Sequence, residues 1–379
     1  MSDSPNAGSP PRARVVALFV PSLVGGGGER ITLILARDLR ALGYEVDVVV
    51  GTSEGPLRTE VPADVELVDL GQRRLRSALP PLVRYLRRRR PDCILPTIEH
   101  ANVLAIMAVA VARTPTKVMP RVANTLSMSR RAASTRSARL TGHLVRRLYR
   151  HADVLVACSH GMADDLAGLT GVPRGEIRVI PNAAVGADLP ALARQPVDHP
   201  WLSTGDGPVI VAVGRLSPQK NFRLLLDAFA LVRRRLRARL VILGEGDERE
   251  ALTRHARSLG VEDDVDLHGF DQNPYRYMAR ADVFALSSDW EGLPGVLIEA
   301  LACGASVVAT DCPSGPREIL EGGRYGRLVP PGRPDRLASA LEEAIGDDGR
   351  VPDEAWRPYT GPKVARRYAT LIDATVAGR

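Results

Sequence analysis

Short apolar runs alternate along this chain with longer stretches in which apolar residues recur at helical spacing. "RVVALFV", "EVDVVV", "CILPTI", "KVMPRVAN", "VLVACS" and "IRVIPNA" make a first series of expected strands. "VIVAVGRLS", "RLVILGEG", "DVDLHGF", "DVFALSS", "ASVVATD" and "GRLVPPG" make a second. Strands that alternate with helical patterns are the signature of parallel α/β sheets. The expected architecture is therefore two Rossmann-like, doubly wound domains facing each other across a cleft. Between the two series lies a Gly-, Pro- and Asp-rich stretch without periodicity, expected to be a linker. The boundaries that follow are a loose tail at 1–11, a first domain at 12–185, a linker at 186–207 and a second domain at 208–355. Residues 356–379 carry helical spacing and are expected to pack back on the first domain.

Composition narrows the class. A chain of 379 residues that is 45% apolar and 25% charged is globular, and long enough for two cores. The polar tail "MSDSPNAGSPP" has no apolar core and does not read as a signal peptide, and the most apolar window, "VLAIMAVAVA", is too short to span a bilayer. The four cysteines have no C-x-x-C spacing, so neither a zinc site nor a disulfide framework is indicated. The expected location is the cytoplasm. Charge is uneven: residues 1–185 hold 26 basic and 16 acidic side chains, residues 186–379 hold 25 and 28, so the first half carries the positive excess. Runs such as "YLRRRRPD" and "SRRAASTRSAR" read first as solvated helix faces. Their functional reading is contact with anionic phospholipid, because aromatics are only 4% and do not interleave with the arginines as a nucleic-acid surface would require.

The segment "PSLVGGGGER" places Gly25 to Gly28 between an expected strand and helix. Helix amides there suit an anion. The spacing does not fit G-x-G-x-x-G, and no Lys-Ser or Lys-Thr closes a P-loop, so a tight turn and a phosphate or acceptor contact both stay open. In the second half, "GVLIEALAC" is an almost wholly apolar helix carrying Glu299. A carboxylate on such a helix needs a partner or a cleft, and its two oxygens suit a pair of hydroxyls. Gly292, Gly295, Ala302 and Cys303 are its expected small neighbours. Glu291 lies just before the helix, beside the amides of Gly292 and Leu293. "GRLSPQKNF" sets Arg215 and Lys220 in a loop after a strand, where parallel sheets bind ligands, so the two cations are expected to face the glutamates. Together they would neutralise a leaving diphosphate.

"GRLSPQKNF", "LGEG" and "DWEGLPGVLIEALACG" resemble the donor domain of retaining GT-B glycosyltransferases of family four. The opening "GGGGER" is similar to that of bacterial members building polysaccharides and glycoconjugates, N-acetylgalactosamine transferases among them. The resemblance spans about residues 14–345. It implies transfer of a sugar from a nucleotide sugar, with uridine diphosphate as carrier, to a lipid-linked or glycan acceptor with retained configuration. It implies that Glu299 takes the ribose hydroxyls, Glu291 the transferred sugar, Arg215 and Lys220 the diphosphate, Gly292 and Leu293 sugar or phosphate, and Gly244 the neighbourhood of the base. Gly214 and Gly295 fall in the same motifs, and Gly27 and Gly28 would close the cleft from the first domain. Relatives often carry a histidine where this chain has Ala123, beside Asn124; Asn124 and His100 are secondary candidates for sugar or acceptor contact. Asp264-Val265-Asp266 matches a metal-binding D-x-D but enters a strand, and no metal or other cofactor is expected. A natural-product transferase, a non-catalytic sugar-nucleotide binder and a nucleic-acid binder are the competing readings.

Overall fold

The computed structural model describes residues 13–24, 26–122, 127–128, 144–204, 207–347 and 351–378. The tail, Gly25, Ala123, Asn124 and the "SRRAASTRSAR" run lie outside these residues. In the first half, β1 (Val15–Val20), β2 (Glu45–Val50), β3 (Glu66–Asp69), β4 (Cys93–Pro96) and β5 (Lys117–Val118) form a parallel sheet in the order β3-β2-β1-β4-β5. A three-stranded sheet, β6 (Arg121–Val122), β7 (Leu155–Ala157) and β8 (Ile177–Val179), continues it, joined through a bridge between Thr97 and Arg121. The second half holds one six-stranded parallel sheet, β11-β10-β9-β12-β13-β14. Its strands are β9 (Val209–Val213), β10 (Arg239–Leu243), β11 (Val265–Gly269), β12 (Val283–Leu286), β13 (Ser306–Thr310) and β14 (Arg327–Val329). The expected pair of doubly wound α/β domains is what forms.

β1 shows why its sequence is apolar throughout. Val16, Leu18 and Val20 enter a core with helix α1 (Gly27–Ala41), while Ala17 and Phe19 enter another with α2 (Leu79–Arg89) and α3 (Glu99–Ala112). Both faces of a parallel strand are covered, so alternation disappears. "KVMPRVAN" departs from the expectation of one strand. Pro120 has no N–H to give a ladder and accepts from Val156 instead, so the run splits into β5 and β6, which belong to different sheets.

The helix Gly361–Ala377 packs on α1, with Val364, Ala365, Tyr368 and Ile372 in the core shared with β1. The chain therefore crosses between domains twice, and the two crossings touch: the Val185 amide donates to Tyr359 O at 3.2 Å and the Gly361 amide to Val185 O at 3.0 Å. The linker is less irregular than its composition suggests, containing short helices at Leu189–Arg194 and Pro200–Thr204. Among the described residues, no helix is long and apolar enough to cross a membrane.

Candidate functional site

The loops after β9 and β12 are fastened to each other, which sets Lys220 against Glu291. Gln219 Nε2 donates to Trp290 O at 3.0 Å, the Asp289 amide donates to Gln219 O at 2.9 Å, and Asn221 Nδ2 donates to Asp289 Oδ1 at 2.8 Å. Asn221 also caps the helix Phe222–Arg233 through the Leu224 amide. Lys220 is thereby aimed inward: its Nζ lies 2.6 Å from Glu291 Oε1, which also accepts from Ser288 Oγ at 2.6 Å. The stem of Lys220 lies over Gly214, where a Cβ would sit 3.1 Å from Cε. Gly244 packs on the same residue from the other side, with φ 141° and the Gly214 carbonyl 2.0 Å from where a Cβ would be. Gly244 is therefore required by backbone packing, whereas a side chain at Gly214 would have to displace the Lys220 stem.

Arg215 differs from Lys220. It is exposed and makes no hydrogen bond or ion pair with a described residue, and its charge acts on Glu29 across the cleft. Glu29 is buried at the start of α1, and burial raises its carboxyl above the ordinary range. The glycines before it divide by role. A Cβ on Gly26 would collide with Glu29 Oε2 at 2.3 Å, whereas Gly27 has open space and Gly28 only Thr97 Cγ2 at 3.8 Å.

Glu299 sits midway along the helix Gly295–Ala302. The helix begins one residue after Pro294, so Gly292 lies in the preceding turn rather than on the same helical face as expected. Its flanking groups are larger than the sequence suggested: Tyr275 OH is 3.5 Å from Glu299 Oε1, and Arg30 of α1 donates to Tyr275 OH at 3.1 Å and to Gln272 O at 3.0 Å. Burial pushes the Glu299 carboxyl up to about 7, against the opposing charges of Arg30 and Lys220 and the Tyr275 hydroxyl. Gly295 faces Ile31 and Ala184 of the first domain at ordinary contact distance. Gly292 and Leu293 are buried, and no described residue accepts from either amide. Buried amides normally find an acceptor, so these two are available to a ligand.

The secondary candidates are less informative. His100 is exposed in the first turn of α3, following Ile98, whose φ of 79° is unusual for a branched residue at the end of β4. Asn124 falls outside the described residues. The D-x-D carboxylates have protein partners: Asp264 pairs with Arg233 and Arg239, and Asp266 lies 3.1 Å from His199 Nε2 and 3.0 Å from His268 Nδ1. His199, Asp266 and His268 are close enough to hold a metal ion. The Trp201 amide, however, donates to His199 Nδ1 at 3.3 Å, which places a neutral ring's proton on Nε2, facing Asp266. None of the four cysteines is in a disulfide, and burial pushes the thiols of Cys158, Cys303 and Cys312 up to about 12.

Glu29, Arg30, Tyr275, Ser288, Ser159 and Asn182 were not singled out from sequence. Glu29 and Arg30 stand in the "GGGGER" stretch that carries the family resemblance and breaks the dinucleotide motif, but neither was given a role at the site. The others reach the cleft through tertiary contacts alone.

Two family descriptions match the chain: Glycosyltransferase Family 4 over residues 25–184 and Glycosyl transferases group 1 over residues 207–347. Among similar curated proteins, the N-acetylgalactosamine-N,N'-diacetylbacillosaminyl-diphospho-undecaprenol 4-alpha-N-acetylgalactosaminyltransferase of Campylobacter jejuni is 36% identical over 205 residues, 54% of either chain. The lipopolysaccharide core biosynthesis glycosyltransferase LpsE of Rhizobium meliloti is 29% identical over 85% of this chain and 86% of its own. The match thus spans about half of the Campylobacter protein and most of the Rhizobium one. Among solved structures, Anabaena HepE in complex with UDP and glucose superposes with a TM-score of 0.77 at 22% identity, covering 95% of this chain and 99% of that one.

Proposed function

The chain belongs to the GT-B glycosyltransferases of family four, and on that premise we propose that it transfers a sugar from a uridine-diphosphate donor to a lipid-linked or glycan acceptor in polysaccharide or glycoconjugate assembly. The observation that carries this reading is the convergence on one cleft of an exposed cation, Arg215, the Lys220–Glu291 pair, the Glu299 carboxylate and two unpartnered buried amides. That set matches a nucleotide sugar group by group: hydroxyls for the carboxylates, phosphate oxygens for the cations and amides. A non-catalytic binder would not need Lys220 and Glu291 buried against one another beside a free cation. The similar proteins, whose names concern lipopolysaccharide and a diphospho-undecaprenol acceptor, favour a glycan acceptor over a small natural product.

In the mechanism we propose, the diphosphate lies against Arg215 and Lys220 and the ribose against Glu299. The bond between the anomeric carbon and the β-phosphate oxygen breaks while the acceptor hydroxyl bonds that carbon on the same face, so configuration is retained. The departing phosphate oxygen takes the hydroxyl proton, and the nucleoside diphosphate leaves. The cations supply the charge stabilisation that a metal would otherwise give, so neither metal nor cofactor is required. Glu291, held by Lys220 and Ser288, orients the sugar; no covalent glycosyl-enzyme is needed. The test is thermal shift in EDTA against uridine, guanosine and adenosine diphosphates and their sugars, because a ligand of the folded state raises its melting temperature. A uridine series that stabilises the protein, with the effect lost in Glu299→Ala, supports the reading. No stabilisation by any nucleotide at millimolar concentration, or stabilisation only with added metal, refutes the corresponding part.

We also propose that the first domain rests on anionic membrane. Leu79, Val83 and Val111 floor an open groove of about 610 Å³ on α2 and α3, with Arg84, Arg87 and Arg88 at its edge. Arg87 is tied to the carbonyls of Val111 and Ala112, whereas Val111 is half exposed. Apolar floor and basic rim suit a lipid interface, each basic side chain near an anionic surface contributing about 1 kcal/mol. Flotation with phosphatidylglycerol vesicles is expected to capture the protein, and Arg84→Glu/Arg88→Glu or high salt to release it. Capture that is unchanged by both treatments would exclude this face.

A further inference from the structure

We propose that Ser159 and Asn182 of the first domain are positioning residues for the donor loop of the second, aiming the Leu293 amide at the donor only when the two domains are together. This deepens the reading above and rests on it. Ser159 Oγ donates to Gly292 O at 3.0 Å, and Asn182 Nδ2 donates to Leu293 O at 2.8 Å. Both contacts are buried and link residues more than 100 positions apart. In a trans peptide the C=O and the following N–H point in opposite directions. With the Gly292 carbonyl held by Ser159, the Leu293 N–H is directed away from it, and that amide has no described acceptor. The next peptide is pinned by Asn182, and its nitrogen belongs to Pro294, so it carries no donor. Holding the carbonyls on both sides fixes the backbone of Leu293 and leaves a single, directed N–H for a phosphate or sugar oxygen.

Each of the two residues is itself held. The Ser159 hydroxyl accepts from the Met162 amide at 3.2 Å, capping the helix His160–Thr170 while it reaches across. The backbone beside it is bound to the second domain by Glu318, whose carboxylate accepts from the His160 and Gly161 amides, both at 2.9 Å. A Cβ on Gly161 would lie 2.8 Å from Ser314 Oγ, so the chains approach as closely as glycine permits. Asn182 Oδ1 accepts from Arg121 Nη2 at 2.8 Å, which turns its amide nitrogen toward Leu293. Arg121 is fully buried, and its Nε and Nη1 have no hydrogen-bond partner among the described residues, leaving Asn182 as its one described side-chain hydrogen-bond partner.

The division of labour follows. Arg215, Lys220 and Glu299 all stand on the second domain and can hold the nucleoside diphosphate by themselves, whereas placement of the transferred sugar requires an amide oriented from the first. The test compares UDP with UDP-galactose and UDP-N-acetylgalactosamine by calorimetry and by acceptor-free release of UDP, in wild type, Ser159→Ala, Ser159→Thr and Asn182→Asp. Threonine keeps both the cap and the donated bond; aspartate still accepts from Arg121 but cannot donate to Leu293. Expected is UDP affinity within about threefold of wild type, loss of the affinity difference between UDP and its sugar, and a kcat lower by about tenfold or more in the alanine and aspartate variants, with threonine near wild type. The inference is overturned if alanine and aspartate variants turn over like wild type, if UDP and UDP-sugar weaken equally, or if threonine fails to rescue. A wild type that binds no uridine nucleotide would instead bring down the uridine-diphosphate donor reading on which this inference rests.

Discussion

Lys220→Ala lowers turnover by about 10² to 10³-fold, the range for removing one group that stabilises developing charge in a dry site. On the proposed reading, the leaving diphosphate loses one of its two cations and keeps Arg215. The same change destabilises the fold. Glu291 is 5% exposed and its Oε1 accepts at 2.6 Å from both Lys220 and Ser288; with the lysine gone, a buried charge loses its cationic partner. Breaking such a pair costs about 3–5 kcal/mol, a large part of a typical stability. The two effects separate in Lys220→Met/Glu291→Gln, which removes both charges at nearly constant volume. That variant is expected to recover most of the melting temperature and none of the turnover. Turnover near wild type in either variant would remove Lys220 from the chemistry.

Donor binding strengthens with pH through neutrality. The Glu299 carboxyl, ordinarily near 4.5, is pushed up to about 7 by burial, so at pH 6 the empty site is mostly protonated. On the proposed assignment, ribose hydroxyls donate to the ionised form, and binding is then expected to expel that proton. Affinity for a UDP-sugar is expected to rise about tenfold between pH 6 and 8 and then level off, with proton release on binding below pH 7. The UDP-sugar is the proper probe, because the terminal phosphate of UDP titrates in the same range. For stability the sign is opposite. A carboxyl raised in the folded state contributes stability that is complete below about 4.5 and is lost as pH climbs to about 7. Glu299→Gln is expected to bind about 10 to 100-fold more weakly at pH 8, as for loss of a charged hydrogen bond, with a flattened pH profile. Calorimetry in two buffers of different ionisation heat reads affinity and proton release together. An affinity that is flat or falls with pH would exclude the ribose assignment.

How much of this was legible in the sequence depends on the range over which each feature is set. β1, the glycine turn and α1 are local: six apolar residues covered on both faces, then glycines, then helical spacing. Glu299 was legible because one carboxylate on an apolar helix is costly and stands out. The break at Pro120 was visible in principle, since proline cannot supply a ladder donor, but the apolar residues around it obscured it. Arg30, Tyr275, Ser159 and Asn182 could not be found this way. Nothing local in "ACSHG" or "IPNAA" says that a hydroxyl and an amide will meet carbonyls more than 100 residues away. Their roles arise from how two finished domains approach each other.

The paired crossings at Val185 and Gly361 have a consequence for how the molecule is made. Because Gly361–Ala377 completes the core around β1 and α1, the second domain is, in effect, an insertion within the first. On the ribosome, at roughly 5–20 residues per second, the first domain waits for the whole second domain to be synthesised before its last helix arrives. The second domain has no such delay. The half of the protein made first is the half finished last, and during that interval the faces of α1 and β1 that Val364, Tyr368 and Ile372 will cover stay open.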